Sequence, residues 1–293
     1  MHPLIRELIA HGPVVTDGAW GTQLQARGLP VGGFPDAWNL ERPDQVTAVA
    51  RTYVEAGSQV ILTNTFGANR LRLEESGLAD RLREVNQQGV ILSRQAAGDR
   101  ARVFASIGPS GKLLLSADLT PAELRTAFEE QSVALAEAGP DALVVETMSD
   151  LDEARLAVAA AHATGLPVVA CMVFDSGKNH DRTMMGITPE QAAESLVAAG
   201  ADVIGANCGQ GIAAFVPICQ RLRAATDLPI WIKPNAGLPE RVGDRAVYRT
   251  TPEEFAAHAK SLIAAGANFL GGCCGTTPDF IRALTKHLRQ SDA

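Results

Sequence analysis

Ala265-Gly266-Ala267-Asn268-Phe269-Leu270-Gly271-Gly272-Cys273-Cys274-Gly275-Thr276-Thr277-Pro278 contains one full repeat of this chain's organisation. A helical pattern over Pro252–Ala265 stops at Gly266, the residue type expected just past a helix C-terminus. Phe269–Cys274 then reads as a strand that runs into a glycine-wrapped pair of thiols. Pro278 opens the next helix, which extends to Arg289, in keeping with the preference of proline for the first helical turn.

The same unit recurs toward the N-terminus. Strands are predicted over Val14–Asp17, Gln59–Asn64, Val103–Ile107, Ala142–Glu146, Pro167–Phe174, Val203–Cys208, Pro229–Pro234 and Phe269–Cys274. Their apolar runs are nearly continuous rather than alternating, as in parallel strands buried on both faces. Between them lie helical patterns at Asp44–Ala56, Pro121–Ala138, Asp152–Ala163, Thr188–Ala199 and Ala213–Ala225. Several end on glycine: Gly57, Gly139, Gly200 and Gly266. Eight strands alternating with helices predict an α/β fold, a (β/α)8 barrel. An open doubly wound sheet is the alternative, but no Gly-x-Gly-x-x-Gly turn follows the first strand. No linker is visible, so residues 1–293 read as a single domain. The segments Gly18 to Pro43 and Asp175 to Gly186 are long for loops in a compact domain, and such loops are usually functional.

The totals exclude several classes of partner. The 293 residues are 46% hydrophobic and carry a formal charge of −7. Acidic and basic side chains are mixed, which argues against nucleic acid or an anionic membrane. No apolar run is long enough to span a bilayer. Met1 to Ile9 is a short amphipathic stretch without the apolar region of a signal peptide, so a cytoplasmic location is expected. Five cysteines, an odd number in a large chain, argue against a disulfide framework.

Three of the five cysteines sit where a barrel does its chemistry. Barrel active sites lie at the C-terminal ends of the strands. Cys208 ends strand six, Cys273 and Cys274 end strand eight, and strand seven between them ends in Lys233-Pro234-Asn235-Ala236-Gly237. Neighbouring residues of a regular strand point to opposite faces. Cys273 and Cys274 can therefore share an ion only if the backbone leaves strand geometry, which Gly271, Gly272 and Gly275 allow. Three thiolates with one open position suit Zn2+ at the ends of strands six and eight. Zinc already bound by three thiolates still lowers the pKa of an incoming thiol, and the bound sulfur keeps its nucleophilicity. Such a centre favours sulfur alkylation over hydrolysis. Cys171, mid-strand, and Cys219, on a helix, read as core residues, and the six histidines show no metal-binding spacing.

Motifs spread over nearly the whole chain carry a family resemblance. They are Asp17-Gly18-Ala19-Trp20-Gly21-Thr22, Thr63-Asn64-Thr65-Phe66-Gly67-Ala68-Asn69, Gly108-Pro109, Glu146-Thr147-Met148-Ser149-Asp150, Gly205-Ala206-Asn207-Cys208-Gly209, Pro234-Asn235-Ala236-Gly237 and Gly272-Cys273-Cys274-Gly275. Together they resemble the zinc-dependent homocysteine S-methyltransferases. That family includes betaine–homocysteine methyltransferase and the homocysteine domain of cobalamin-dependent methionine synthase. The resemblance implies a (β/α)8 barrel with zinc on Cys208, Cys273 and Cys274. It implies Asp17 and Glu146 near the homocysteine amino group, and the N–H groups of Gly18 and Ala19 at its carboxylate. Asn235 matches a position whose oxygen can close the zinc site when homocysteine is absent.

The expected reaction moves a methyl group from a small-molecule donor to homocysteine, giving methionine, with no side chain acting as acid or base. Trp20, Phe34 and Trp38 share the long first loop, and clustered aromatics attract quaternary ammonium or sulfonium groups. Betaine or a sulfonium is therefore the favoured donor. A separate methyl-corrinoid protein, methylfolate or a different acceptor thiol are alternatives, and a zinc-binding regulatory barrel without turnover is the non-enzymatic one. Animal betaine enzymes have a tyrosine in the loop after strand two, where this chain has Gly67.

Overall fold

A computed structural model describes residues 1–112, 119–242 and 245–289. Its eight-stranded sheet consists of Val14–Val15, Val60–Leu62, Arg102–Ile107, Ala142–Met148, Val168–Met172, Val203–Cys208, Ile230–Pro234 and Ala267–Leu270. We refer to these as strands one to eight. All neighbours pair in parallel. Strand one pairs with strand eight through Val14 and Phe269, and a bridge from Thr16 to Val60 ties it to strand two. The sheet thus closes on itself, and the barrel expectation holds against the open sheet.

Alternation along the strands sorts the core into two layers. Val15, Ile61, Val103, Leu143, Val145, Ile204 and Ile232 face outward and pack under the helices. Val14, Val60, Phe104, Val144, Val203, Trp231 and Phe269 face inward and fill the barrel. Trp231 is the centre of this plug, with its ring 6.0 Å from Phe104 and 5.1 Å from Phe269. Gly205, beside it in the sheet, leaves the necessary space: a Cβ there would stand 2.2 Å from the Trp231 carbonyl oxygen. The amphipathic N-terminal stretch is a helix, Pro3–Ile9, and its buried Ile5 joins the same inner cluster.

Helix starts follow the capping chemistry of the sequence. Thr120, Thr188 and Thr251 each precede a proline and close a capping box with Glu123, Gln191 and Glu254. Helix Leu82–Ala97 was not predicted. Its central Gly89 and polar Asn86, Gln87 and Gln88 weaken the helical signal. Gly89 is needed there because a Cβ would lie 2.4 Å from the Thr65 methyl, where the loop after strand two crosses the helix. The Pro252–Ala265 pattern forms two helices, Pro252–Ala257 and Ala259–Ala264. An antiparallel pair, Glu240–Val242 with Arg245–Val247, follows strand seven and was also unforeseen. No helix among the described residues is long and apolar enough to cross a membrane.

Candidate functional site

Two residues beyond the apolar plug, the inward positions become polar. Phe104 is followed by Ser106, Val144 by Glu146, Gly205 by Asn207 and Trp231 by Lys233. All four keep the inward parity of the strand. Ser106, Glu146 and Lys233 of this layer form the floor of a cleft of about 700 Å³ at the C-terminal ends of the strands, with Asn207 buried beside them. The volume lies in the range usual for small-ligand sites.

The three thiols meet at one side of the floor. The sulfurs of Cys208, Cys273 and Cys274 lie within 4.8 Å of one another, with Cys208 and Cys273 at 3.1 Å. Strand eight ends at Leu270, so both cysteines of the doublet lie outside regular strand geometry. Their turn is pinned by Cys273 N–H on the Pro234 carbonyl at 2.8 Å and by Ala236 N–H on the Cys274 carbonyl at 2.9 Å. Gly275 has φ +81, and the Tyr248 ring occupies the space where its Cβ would stand. Cys208 itself has φ +63, which turns its sulfur off the strand axis. Cys171 and Cys219 are buried elsewhere, and all five cysteines are free.

Asn207 braces this cluster. Its Nδ2 donates to Thr147 Oγ1 at 2.6 Å and lies 3.8 Å from both Cys208 Sγ and Cys273 Sγ. Its Oδ1 accepts from Thr147 N–H at 2.8 Å. Strands four and six are thus clamped beside the sulfurs, and Thr147 adopts φ +61 to reach the clamp.

Hydrogen bonds among the three thiols, with burial behind them, control their ionisation. Cys274 is held down to about 3, first by the hydrogen bond from Cys208 and then by that from Cys273. Cys208 is pushed well above the ordinary thiol value, chiefly because it donates to its two neighbours. Cys273 is pushed up to about 12: the Cys208 bond lowers it, but its bond to Cys274, burial and the adjacent thiolate outweigh that. Three buried thiols cannot all ionise side by side without a cation among them. The trio can therefore hold a metal ion.

The remaining floor is charged. Asp17 is fully buried and its Oδ2 accepts from Leu62 N–H at 2.7 Å and Trp20 Nε1 at 2.8 Å. Its Oδ1 pairs with Lys233 Nζ. Glu146 Oε1 accepts from Ser106 Oγ at 2.5 Å, and burial pushes its carboxyl up to about 7 against the pull of Lys233. Gly18 and Ala19 line the cleft, and Ala19 N–H is engaged by Thr276 Oγ1 at 3.2 Å.

The three aromatics separate. Trp20 and Phe34 line the cleft, whereas Trp38 is buried in the helix layer and lies outside the lining. The edge of the Phe34 ring sits 3.0 Å from where a Gly67 Cβ would be. Behind it the buried Asp36 accepts from Gly67 N–H at 3.0 Å, and burial pushes its carboxyl up to about 7. Asn235 donates to the Gly209 carbonyl at 2.9 Å, while its buried Oδ1 has no hydrogen-bond partner among the described residues.

The homocysteine S-methyltransferase family model matches residues 14–288. The chain belongs to the homocysteine S-methyltransferase family. It is 33% identical to methionine synthase of Mycobacterium tuberculosis and 32% identical to that of Mycobacterium leprae, each over 95% of this chain. It spans about a quarter of the length of those relatives (25% and 24%). Its fold matches the metallated form of the homocysteine methyltransferase MmuM from Escherichia coli with a TM-score of 0.82. That match has 23% identity and covers 97% of this chain and 99% of the other. The apo form of MmuM matches with a TM-score of 0.75 and 23% identity, over 98% and 100% of the two chains.

Lys233, Asn207, Ser106 and Tyr248 were not among the predicted site residues. For Ser106, Asn207 and Lys233 a signal existed: each lies two positions beyond an inward plug residue. Tyr248 had none, because its place over Gly275 depends on the path of the chain after strand seven.

Proposed function

We propose that this barrel transfers a methyl group from a small cationic donor to the sulfur of homocysteine, giving methionine, and that it does so with zinc. The observation that carries the reading is the trio of buried thiols, all within 4.8 Å, beside Glu146 and Lys233 on the floor of one cleft.

The donor set fits zinc. Zn–S bonds of about 2.3 Å place tetrahedral sulfurs about 3.8 Å apart, which the trio can meet with small adjustments. Cys208, Cys273 and Cys274 would hold the ion. The unpartnered Asn235 Oδ1 is a suitable oxygen to complete its shell when no thiol is bound. When bound, zinc supplies a Lewis acid that lets a thiol ionise near neutral pH.

The chain's own residues bind and orient. Glu146 and the first-loop backbone at Gly18 and Ala19 face the amino-acid end of the acceptor, and Asp17 acts there through Lys233. Trp20 and Phe34 line the part of the cleft where a cationic methyl donor would stand, with the Asp36 carboxyl beside them. Attack by the acceptor thiolate on an electrophilic methyl group needs no proton transfer in that step, so no side chain is assigned as acid or base.

The test is a donor panel. Zinc-loaded protein is given homocysteine with betaine, S-methylmethionine, dimethylsulfoniopropionate, methyltetrahydrofolate or methylcobalamin, and methionine is measured. Turnover with betaine or a sulfonium supports the reading. Turnover only with methyltetrahydrofolate or methylcobalamin would replace the donor assignment. A zinc site whose sulfur coordination ignores homocysteine, with no methionine from any donor, would leave a regulatory barrel instead.

A further inference from the structure

The three thiols border the space that a methyl donor must enter. Cys208, Cys273 and Cys274 line the same cleft as Trp20 and Phe34. Thiolate is the nucleophilic form of sulfur, whether it belongs to a ligand cysteine or to the acceptor. A donor in the cleft therefore meets four sulfurs once the acceptor is bound. Methylation of a ligand cysteine would put a neutral thioether where the metal needs a charged thiolate. Sparing the cysteines requires a physical difference among the four sulfurs.

Hydrogen-bond donors supply that difference. Asn207 is fully buried, and its amide is oriented by Oδ1, which accepts from Thr147 N–H at 2.8 Å. Nδ2 is thereby set toward the thiols, at 3.8 Å from both Cys208 Sγ and Cys273 Sγ, while it also donates to Thr147 Oγ1 at 2.6 Å. Tyr248 covers the third sulfur: its ring packs on Gly275, and its hydroxyl donates to Cys274 Sγ. Other donors around the cleft are turned elsewhere. Trp20 Nε1 donates to Asp17, Ser106 Oγ to Glu146 and Asn235 Nδ2 to the Gly209 carbonyl. An acceptor sulfur that enters beside the thiols finds these donors already engaged.

We propose that Asn207 and Tyr248 decide which sulfur is methylated: their hydrogen bonds shield the three ligand cysteines and leave the acceptor's sulfur the most nucleophilic in the cleft. This rests on the reading of the cleft as a methyl-transfer site with a metal ion on three thiols. In the side reaction that is suppressed, a cysteine thiolate lone pair forms an S–CH3 bond. The bond from that methyl to the donor's cationic centre breaks, its electron pair leaves with the donor, and no proton moves. The sulfur ends as a neutral thioether, so a hydrogen bond made to the thiolate is lost along the way. Thiolate nucleophilicity falls with basicity with a slope of about one half, so about half of that loss is felt at the transition state. For a hydrogen bond to a charged group this slows methylation about 3- to 12-fold.

Methyl iodide, which needs no donor subsite, is the probe. Peptide mass spectrometry reads methylation at each cysteine of the zinc-loaded protein in zinc-buffered solution. Tyr248→Phe keeps the ring over Gly275 and removes only the hydroxyl. Its Cys274 should be methylated about 3- to 12-fold faster than in the wild type, with Cys208 and Cys273 changed less than about twofold. Asn207→Leu should do the reverse, with Cys208 and Cys273 faster and Cys274 unchanged. A purely structural role for either residue would not sort the sulfurs in this way. When the wild type is in excess over homocysteine, methyl should reach homocysteine at least about threefold faster than any of the three cysteines. Three results overturn the proposal: a wild-type rate at Cys274 in Tyr248→Phe, a rise shared equally by all three cysteines, or a wild type methylated at its cysteines as readily as at homocysteine. The last comparison decides even if neither variant folds. If the protein methylates homocysteine no faster than free solution does, the reading of the cleft falls, while the sorting of the three cysteines in Tyr248→Phe still decides whether they are shielded.

Discussion

Replacing Asn207 by leucine tests how the barrel holds its thiols. The side chain keeps its approximate volume but loses both bonds to Thr147, at 2.6 Å and 2.8 Å. Each bond contributes about 1 kcal/mol net, and an unpaired Thr147 N–H costs about 1–3 kcal/mol more. Thr147 would also keep its left-handed φ of +61 with nothing to hold it there. The apo protein should therefore lose about 3–5 kcal/mol of stability. The same substitution removes the N–H group 3.8 Å from Cys208 Sγ and Cys273 Sγ. Loss of such an outer partner typically lowers metal affinity about 10- to 100-fold. Urea unfolding of the metal-free protein measures the first quantity, and zinc competition against a chromophoric chelator measures the second. Thr147→Val is the control. It removes only the hydroxyl link, so it should cost about 1 kcal/mol and change metal affinity less than about threefold. Wild-type metal affinity in a folded Asn207→Leu protein would refute the bracing role, as would an equal loss of affinity in Thr147→Val.

Glu146→Gln should flatten the pH dependence of homocysteine binding: the wild-type carboxyl, raised to about 7 by burial, is neutral below that pH and gains its charge above it, so affinity should rise through pH 7 only in the wild type, as titration across pH 5.5–8.5 will show. Gly275→Ala meets both a φ of +81 and the Tyr248 ring 2.2 Å from its Cβ, so it should destabilise the thiol turn by about 2–3 kcal/mol and release zinc to a chelator while far-ultraviolet circular dichroism stays unchanged. Phe34→Ala should raise the KM for a cationic donor about 2- to 30-fold through lost cation–π attraction, whereas Trp38→Phe should lower thermal stability and leave that KM unchanged, since Trp38 lies in the helix layer.

Particular residues show how far the sequence could be read. Strand six was predicted over Val203–Cys208 and has those bounds in the structure; the last helix, Pro278–Arg289, is equally unchanged. Both have strong local signals, an unbroken apolar run and a proline at the start of an amphipathic pattern. Strand eight was drawn to Cys274 and ends at Leu270; beyond it Gly271 N–H bonds the Ile232 carbonyl, Gly272 N–H the Asp17 carbonyl and Cys273 N–H the Pro234 carbonyl, contacts set by neighbouring segments and not by local propensity. Helix Leu82–Ala97 escaped because its central glycine answers to a contact with a distant loop, not to helical propensity. Trp38 shared a loop with Trp20 and Phe34, but a short helix, Trp38–Glu41, turns it into the core.

The sequence by itself determined the alternation of strands and helices, an expectation of a parallel barrel that strand pairing then confirmed over an open sheet, and the placing of three cysteines at strand ends. These depend on residue type and on spacing along the chain. Only the tertiary structure decided that Asp17 is already paired with Lys233, that Asn207 clamps the thiol cluster, and that Tyr248 covers Gly275. Those contacts join residues distant in sequence, and their geometry is set by barrel closure and by how deeply each charge is buried.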